Sequence, residues 1–384
     1  MKEIYLDNAA TTKALPEVVN KVKEALEKNY ANPSSLHRLG IESEKMVKEA
    51  RHNIADTFNI DSKELVFTGS GTIANNIAIL GTIKRLKKFG KRIITSQIEH
   101  KSVLEIFKHL ENEGFDVIYI PVNKNGKINI DRLKEVINKE TILISIMAVN
   151  NEIGTVQPLK KIANIIKKYD NLYFHVDGVQ ALGKVPLDLK KLNIDLFTIS
   201  SHKIHGPKGV GALYINNNIL LDKIFYGSKQ ERGYYPGTEN TPGIAGFGEA
   251  VKHLPNKDEI KKLYELRDLL AEKIKNGIKE VVINTTLDDA SAPHILNISF
   301  AGIKGEVLVH TLEKEGIYVS TGSACTSRKD STSHVIKALH LPDKYKGGSI
   351  RFSLSQFNTK EEIEYTYDIL VKSVNQLRRI MGGR

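Results

Sequence analysis

Residues 65–83 have the sequence LVFTGSGTIANNIAILGTI, in which a short β-prone run precedes a glycine-rich turn and a helical pattern. Leu65 to Thr68 are apolar or β-branched, as is typical of a buried strand. After the turn at 69–71, apolar residues recur at the spacing of one helix face. The stretch therefore predicts a strand, a tight turn and a helix, the first part of a βαβ unit.

The same alternation continues from about residue 60 to residue 215. Further strands are predicted at 92–95, 116–120, 141–149, 172–176 and 195–199, with helical patterns between them, one beginning at Pro158. Strands and helices that alternate at this spacing form parallel sheets with helices on both faces. The fold class is therefore α/β, with a mainly parallel sheet.

The pattern changes after about residue 250. A long helix that ends at Gly277 is followed by strands predicted at 281–284, 295–300 and 350–354. The last helix is expected to begin near Thr359, because residues 359–362 have the spacing of a capping box. We expect a second, smaller α+β domain, with the boundary close to residue 255.

Composition narrows the class of protein. The chain has 384 residues, of which 41% are apolar and 26% charged, as in soluble globular proteins. The single cysteine, Cys325, excludes internal disulfides and cysteine-cluster metal sites built from this chain alone. The richest apolar run, 142–149, is too short to span a bilayer, and no secretory signal is visible at the N-terminus. We therefore expect a cytoplasmic protein without a membrane partner.

The formal net charge of +11 permits an acidic partner. The lysines are spread along helical faces and are mixed with glutamate and aspartate, which favours a solvated surface. An acidic protein or tRNA remains the alternative partner, and no direct contact with nucleic acid is expected.

The turn at 69–74, GSGTIA, follows a strand and opens a helix, so its N–H groups and the positive helix end could hold an anion. It matches the dinucleotide pattern G-x-G-x-x-A, but no acid stands in the stretch 89–94 where a ribose would need one. The turn therefore predicts a phosphate site without a nicotinamide. A simple tight turn is the alternative.

Two charged residues follow later strands. Asp177 ends an apolar strand, at the sheet edge where ligands bind in parallel sheets, although it could merely cap the next segment. Lys203 lies between two histidines in a Gly/Pro-rich loop. A lysine close to other cations has a lowered pKa and can attack an aldehyde. A basic surface loop is the alternative, and Lys208 is expected to be a lysine of that ordinary kind.

Cys325 lies in a small polar loop, where Arg328 and Lys329 favour the nucleophilic thiolate over an inert thiol.

A phosphate site, an acid at a strand end and an activated lysine together suit pyridoxal phosphate, which needs a phosphate cradle, a carboxylate at its ring nitrogen and a lysine amine. His100 follows a strand at the same edge of the sheet and could stack on the ring.

These stretches resemble cysteine desulfurases of the NifS/IscS class, which are class V aminotransferases and fold-type I pyridoxal-phosphate enzymes. The likeness extends nearly from end to end, and the lysine and cysteine motifs together make it specific. The matching stretches are 5–12 (YLDNAATT), 32–35 (NPSS), 99–101 (EHK), 150–154 (NNEIG), 201–203 (SHK) with 206–209 (GPKG), 322–325 (GSAC) and 351–354 (RFSL).

The resemblance implies that Lys203 holds pyridoxal phosphate as a Schiff base and that Cys325 and His100 are catalytic. It implies that Arg351 binds the carboxylate of L-cysteine, with Asn151 contacting the cofactor or substrate. Further cofactor-binding roles fall on Gly71, Thr72, Ser200 and His202 at the phosphate, Asp177 at the ring nitrogen, Gln180 at the ring hydroxyl, Ser201, and Thr238 at the phosphate of the neighbouring subunit.

The implied reaction converts L-cysteine to L-alanine and moves sulfur to Cys325 as a persulfide. A homodimer and a sulfur-acceptor protein are the implied partners, for iron–sulfur cluster assembly, tRNA thiolation or cofactor synthesis. The implied domains are a large one at 16–255 and a small one formed by 1–15 with 256–384. The small domain carries the catalytic-cysteine loop at about 320–333.

Three places depart from the usual pattern of this family: Ile73 replaces a common Glu, Ser228-Lys229 replace two glycines, and Tyr235-Pro236 replace Arg-Ser. A specialised partner or an altered substrate preference is the expected consequence. The alternatives are a selenocysteine lyase, another lyase or aminotransferase with the same cofactor, and a basic RNA-associated or scaffold protein.

Overall fold

The structure is a computed structural model that describes residues 3–322 and 332–382. The strands are β1 (Ile4–Tyr5), β2 (Leu65–Thr68), β3 (Arg92–Ser96), β4 (Asp116–Ile120), β5 (Thr141–Met147), β6 (Tyr173–Asp177), β7 (Leu196–Ser200), β8 (Gly211–Ile215), β9 (Val281–Ile283), β10 (Ile295–Phe300), β11 (Ile317–Tyr318) and β12 (Ser349–Ser353). The helices are α1 (Pro16–Glu27), α2 (Arg38–Thr57), α3 (Gly71–Leu86), α4 (Lys101–Asn112), α5 (Ile130–Val136), α6 (Leu159–Ile166), α7 (Thr241–Ala250), α8 (Lys257–Gly277), α9 (Gly305–Glu313), α10 (His334–Ala338), α11 (Asp343–Lys346) and α12 (Lys360–Gly382).

The large sheet has seven strands in the order β2-β8-β7-β6-β5-β3-β4. Strands β3 to β7 pair in parallel, whereas β8 is antiparallel to both β2 and β7. The predicted α/β class with a mainly parallel sheet is confirmed. Strand β5 ends two residues earlier than predicted, β6 and β7 are displaced by one residue, and β8 was not predicted at all.

The C-terminal part has its own antiparallel sheet, β12-β10-β9. Its buried side chains form a cluster that also contains residues of α8, α9 and α12. The capping box at the start of α12 is present, because Glu362 N donates to Thr359 Oγ1 at 3.3 Å and Thr359 N donates to the Glu362 carboxylate at 3.3 Å. The last helix therefore begins where the sequence predicts.

The N-terminal segment connects the two sheets. Strand β1 pairs in parallel with β11, and Ile4 and Leu6 are buried in the C-terminal cluster. Asn8 N then donates to the carbonyl of Ser353 on β12 at 3.1 Å, while Thr12 N donates to the carbonyl of His202 at 2.9 Å. Residues 4–12 thus run from the small sheet to the loop after β7.

The helices within 3–322 and 332–382 include none with an apolar stretch sufficient to cross a bilayer.

Candidate active site

A cavity of about 340 Å³ opens at the carboxyl ends of the central strands and at the N-terminus of α3. Its volume lies within the range of small-molecule binding sites. Ten of the sequence-predicted site residues line it: Gly71, Thr72, His100, Asn151, Asp177, Gln180, Ser200, His202, Lys203 and Arg351. Most of these residues lie at or just after the ends of strands of the large sheet, which meet at one edge, whereas Arg351 lies on β12 of the small sheet.

Lys203 lies at the end of a short 3-10 turn that follows β7 directly. Its Nζ donates to the carbonyls of Ala9 and Ala10, each at 2.7 Å. The carbonyl of Lys203 accepts a hydrogen bond from Lys184 Nζ at 2.8 Å. Burial, and secondarily the charge of Lys203, lowers the pKa of Lys184 to about 7. The predicted amine therefore has a second, buried lysine directly behind it, which the sequence did not indicate.

Asp177 ends β6 and is held by two donors. Its Oδ2 accepts from Asn75 Nδ2 at 2.9 Å, and its Oδ1 accepts from Val179 N at 3.0 Å. Asn75 was not predicted as a site residue, although it lies one helical turn after Gly71 on α3 and so faces the same side. Both donors orient the carboxylate at the base of the cavity, next to the phosphate turn.

The predicted anion site is the first turn of α3. Ser70 caps the helix, since its side chain accepts from Ile73 N at 3.2 Å. The first N–H groups of a helix have no acceptor within the helix, and Gly71 and Thr72 line the cavity at this point. A Cβ at position 71 would lie 3.0 Å from a methyl group of Val179, so a side chain there would crowd the turn. These features fit a phosphate group.

Two histidines at the cavity have lowered pKa values. Burial lowers the pKa of His202 to about 4, with Lys203, Lys208 and Lys184 adding to the effect. Burial also lowers the pKa of His100, which Asp177 partly opposes. His100 caps α4, because its Nδ1 accepts from Ser102 N at 3.1 Å. That bond places the remaining ring proton on Nε2.

The side chains of Gln180 and Arg351 both form hydrogen bonds within the protein. Gln180 Nε2 donates to the carbonyl of Ala9 at 2.9 Å. Arg351 Nη1 donates to the carbonyl of Asn151 at 2.8 Å, and Arg351 Nη2 donates to Asp7 Oδ1 at 2.7 Å. Asp7 was missed as a site residue, although it lies within the stretch 5–12 on which the resemblance partly rests.

Two buried carboxyl groups lie at or beside the cavity. Burial raises the pKa of Glu99 to about 8, although its oxygens contact Ser96 Oγ at 2.5 Å and Met147 N at 2.9 Å. Burial also raises the pKa of Glu152, which lines the cavity. Burial thus disfavours the charged form of both carboxyl groups.

Two predicted site residues in the described chain, Ser201 and Thr238, do not line this cavity. Ser201 is fully buried, and its hydroxyl has no partner within the described chain. Thr238 is exposed on the loop after β8 and does not line the cavity of its own chain. Cys325 lies outside the described residues, but Gly322 and Ser333 on either side of that gap both line the cavity.

Two of the departures from the family pattern meet in space. A Cβ built on Gly69 would lie 2.9 Å from Tyr235 Oη and 3.1 Å from Ile73 Cδ1. Both side chains pack against the same buried cluster, and Tyr235 also makes an edge-on contact with Phe225, with ring centroids 5.7 Å apart. The two unusual residues therefore both lie next to Gly69 of the phosphate turn and pack against one cluster.

The chain belongs to the class V aminotransferase family (Aminotransferase class-V), whose match extends over residues 4–366. Within that family, its nearly full-length similarity to named cysteine desulfurases confirms the resemblance to the NifS/IscS class. It is 43% identical over 381 residues to Cysteine desulfurase IscS of Dictyoglomus turgidum, covering 99% of this chain and 96% of that protein.

Solved structures agree with this placement. A NifS-like protein superposes with a TM-score of 0.90 at 35% identity, covering 98% of this chain and all of that one (100%). SspA, solved in complex with cysteine, superposes with a TM-score of 0.81 at 34% identity, covering 93% of this chain and 100% of its own. The fold-type I architecture expected from the sequence is thereby confirmed.

Proposed function

We propose that this protein is a pyridoxal-phosphate-dependent cysteine desulfurase that converts L-cysteine to L-alanine and keeps the sulfur as a persulfide on Cys325. The observation that carries the proposal is the cavity, where Lys203, Asp177, Arg351 and the N-terminus of α3 meet. An amine, a carboxylate, a carboxylate-binding arginine and an anion site are the groups that this chemistry requires.

The donor set fits the cofactor. Gly71 and Thr72 would hold the phosphate with Ser200 and His202, and the resemblance adds Ser201. Asp177 would pair with the ring nitrogen, Gln180 would donate to the ring hydroxyl oxygen, and the ring of His100 would lie against the cofactor. When bound, pyridoxal phosphate supplies an aldehyde that condenses with amines and a ring that accepts an electron pair.

Side chains of this chain would bind the substrate, move its protons and accept its sulfur. Arg351 binds the carboxylate of L-cysteine, and Asn151 keeps the guanidinium in place through its carbonyl. The Lys203 amine takes the proton from Cα of the substrate and later returns a proton. The ring of His100 can donate a hydrogen bond from Nε2 to a bound ligand, because its Nδ1 accepts from Ser102 N. The thiol of Cys325 gains the substrate sulfur, so that cysteine and enzyme thiol become alanine and enzyme persulfide.

The quaternary structure and the acceptor belong to the same proposal. A homodimer would allow the exposed Thr238 to reach the phosphate of the neighbouring site, and a sulfur-acceptor protein would remove the persulfide in the cytoplasm. The division into 16–255 and 1–15 with 256–384 stays a prediction. Light scattering tests the dimer, and limited proteolysis tests the domain boundary.

Two variants separate the roles of the amine and the thiol. Cys325→Ala is expected to bind the cofactor and remain yellow but to form no persulfide from L-cysteine. Lys203→Ala is expected to lose the borohydride-trapped adduct that peptide mapping finds at position 203. Undiminished alanine formation by Cys325→Ala, or trapping at another lysine in the unaltered protein, would overturn the assignment. Release of a keto acid in place of alanine would indicate an aminotransferase.

A further inference from the structure

The arginine expected to receive the substrate carboxylate already holds a carboxylate of its own chain. Arg351 Nη2 and Asp7 Oδ1 lie 2.7 Å apart, and their side chains are 3% and 21% exposed. Charges this well shielded from water interact more strongly than a pair on the surface. Asp7 therefore offsets much of the positive charge at this end of the cavity.

Arg351 nevertheless keeps donors for a second carboxylate. Of the five N–H groups of a guanidinium, one donates to the carbonyl of Asn151 and one to Asp7. Nε has no partner within the described chain. A substrate carboxylate can therefore bind, but it binds beside the like charge of Asp7, which reduces the gain from Arg351.

The backbone fixes Asp7 in this position. Leu6 N donates to the carbonyl of Tyr318 at 2.9 Å, and Asn8 N donates to the carbonyl of Ser353 at 3.1 Å. Ser353 lies two residues after Arg351 on β12, so the strand that carries the arginine also holds the segment that carries the aspartate. The carboxylate is consequently a permanent part of the site.

The same segment also reaches the other end of the substrate. The carbonyls of Ala9 and Ala10 accept from Lys203 Nζ. Residues 7–10 therefore contact both Lys203, beside which the cofactor aldehyde would take the substrate amino group, and Arg351, which would take the carboxylate. A ligand that has a carboxylate but no amino group would have to rely on Arg351 alone, and Asp7 balances the charge of that arginine.

We propose that Asp7 is a positioning residue that orients Arg351 and lowers its affinity for carboxylates, which makes the site selective for ligands held at both ends. The proposal rests on the role of Arg351 in the proposed function. Simple monocarboxylates then bind weakly, whereas an α-amino acid is retained through its amino group. The lowered affinity also helps the alanine product to leave.

Asp7→Asn in the holoenzyme is the direct test, because the amide oxygen can still accept from Arg351 while the charge is lost. Propionate, titrated calorimetrically, is expected to bind about tenfold more tightly to the variant. KM for L-cysteine is expected to fall to a similar extent, with kcat changed less than threefold. Asp7→Ala serves as a second variant, in which propionate affinity is also expected to rise.

Three controls separate charge from structure. Glu3→Gln makes the same charge change on an exposed residue of the same N-terminal segment and should leave propionate binding unchanged. The calorimetric affinity for cysteamine, which lacks a carboxylate, should not respond to Asp7→Asn. In an Arg351→Met background, Asp7→Asn should have no further effect.

Unchanged or weaker propionate binding in both Asp7 variants overturns the proposal. Failure of the unaltered holoenzyme to form alanine from cysteine would instead refute the proposed function. The propionate titration decides the role of Asp7 in either case.

Discussion

The carboxyl group of Glu99 should impose an unusual pH dependence on stability. The side chain is wholly buried next to His100, and burial raises its pKa from 4.5 to about 8. Between these two values the unfolded chain has released this proton and the folded chain has not, so unfolding becomes more favourable as pH rises. One pKa unit corresponds to 1.36 kcal/mol, so the destabilisation is on the order of 5 kcal/mol at most.

Glu99→Gln keeps the shape of this side chain and removes the titration. Urea unfolding at several pH values between 5 and 8.5 is the assay. The free energy of unfolding of the unaltered protein is expected to fall relative to that of the variant, by at least about 2 kcal/mol over this range. Glu280→Gln, at an exposed glutamate whose pKa Lys344 lowers, should show no such difference. A constant difference between Glu99→Gln and the unaltered protein would refute the reasoning.

Three further changes test other contacts. Arg51→Met leaves the Glu231 carboxylate, 4% exposed, without its ion pair and should cost about 3 kcal/mol in urea unfolding, part of which Glu231→Gln should restore. Gly178→Ala places a Cβ 1.9 Å from the Phe197 ring and should lower stability by about 2–3 kcal/mol; an unchanged melting temperature would contradict this. Lys184→Met removes a lysine whose pKa burial lowers from 10.5 to about 7. The folded chain gives up that proton first, so the unaltered protein should gain stability relative to Lys184→Met between pH 7 and pH 9, and parallel profiles would exclude it.

The strands of the large sheet were predictable wherever a continuous apolar run was long enough to be buried. The predicted bounds of β2 and β4 match the structure, because each run is flanked by turn residues or polar segments. Strand β8 was missed because Gly211–Ile215 begins with a glycine and follows directly on a Gly/Pro-rich loop. Its antiparallel direction depends on pairing with β2 and β7, which no local pattern encodes.

The candidate site likewise contains residues that the sequence predicted and residues that it did not. Local motifs predicted candidate site residues that the structure places at one cavity, since a lysine between histidines, an acid at a strand end and a glycine turn before a helix are short-range features of the chain. Asp7 and Lys184 were not predicted because their roles depend on contacts with residues that are distant in the sequence. Asp7 meets Arg351 across 344 positions of sequence, and Lys184 reaches the carbonyl of Lys203 across a loop.

The amino-acid order alone thus established the α/β class and the family and predicted the reacting groups, because periodicity and short motifs are properties of neighbouring residues. Tertiary structure alone decided which charges oppose one another in the cavity. The pKa values of Glu99, Lys184 and His202 depend on burial and on partners from distant segments. Desolvation and Coulomb interaction act through space, and the chain acquires those distances only when it folds.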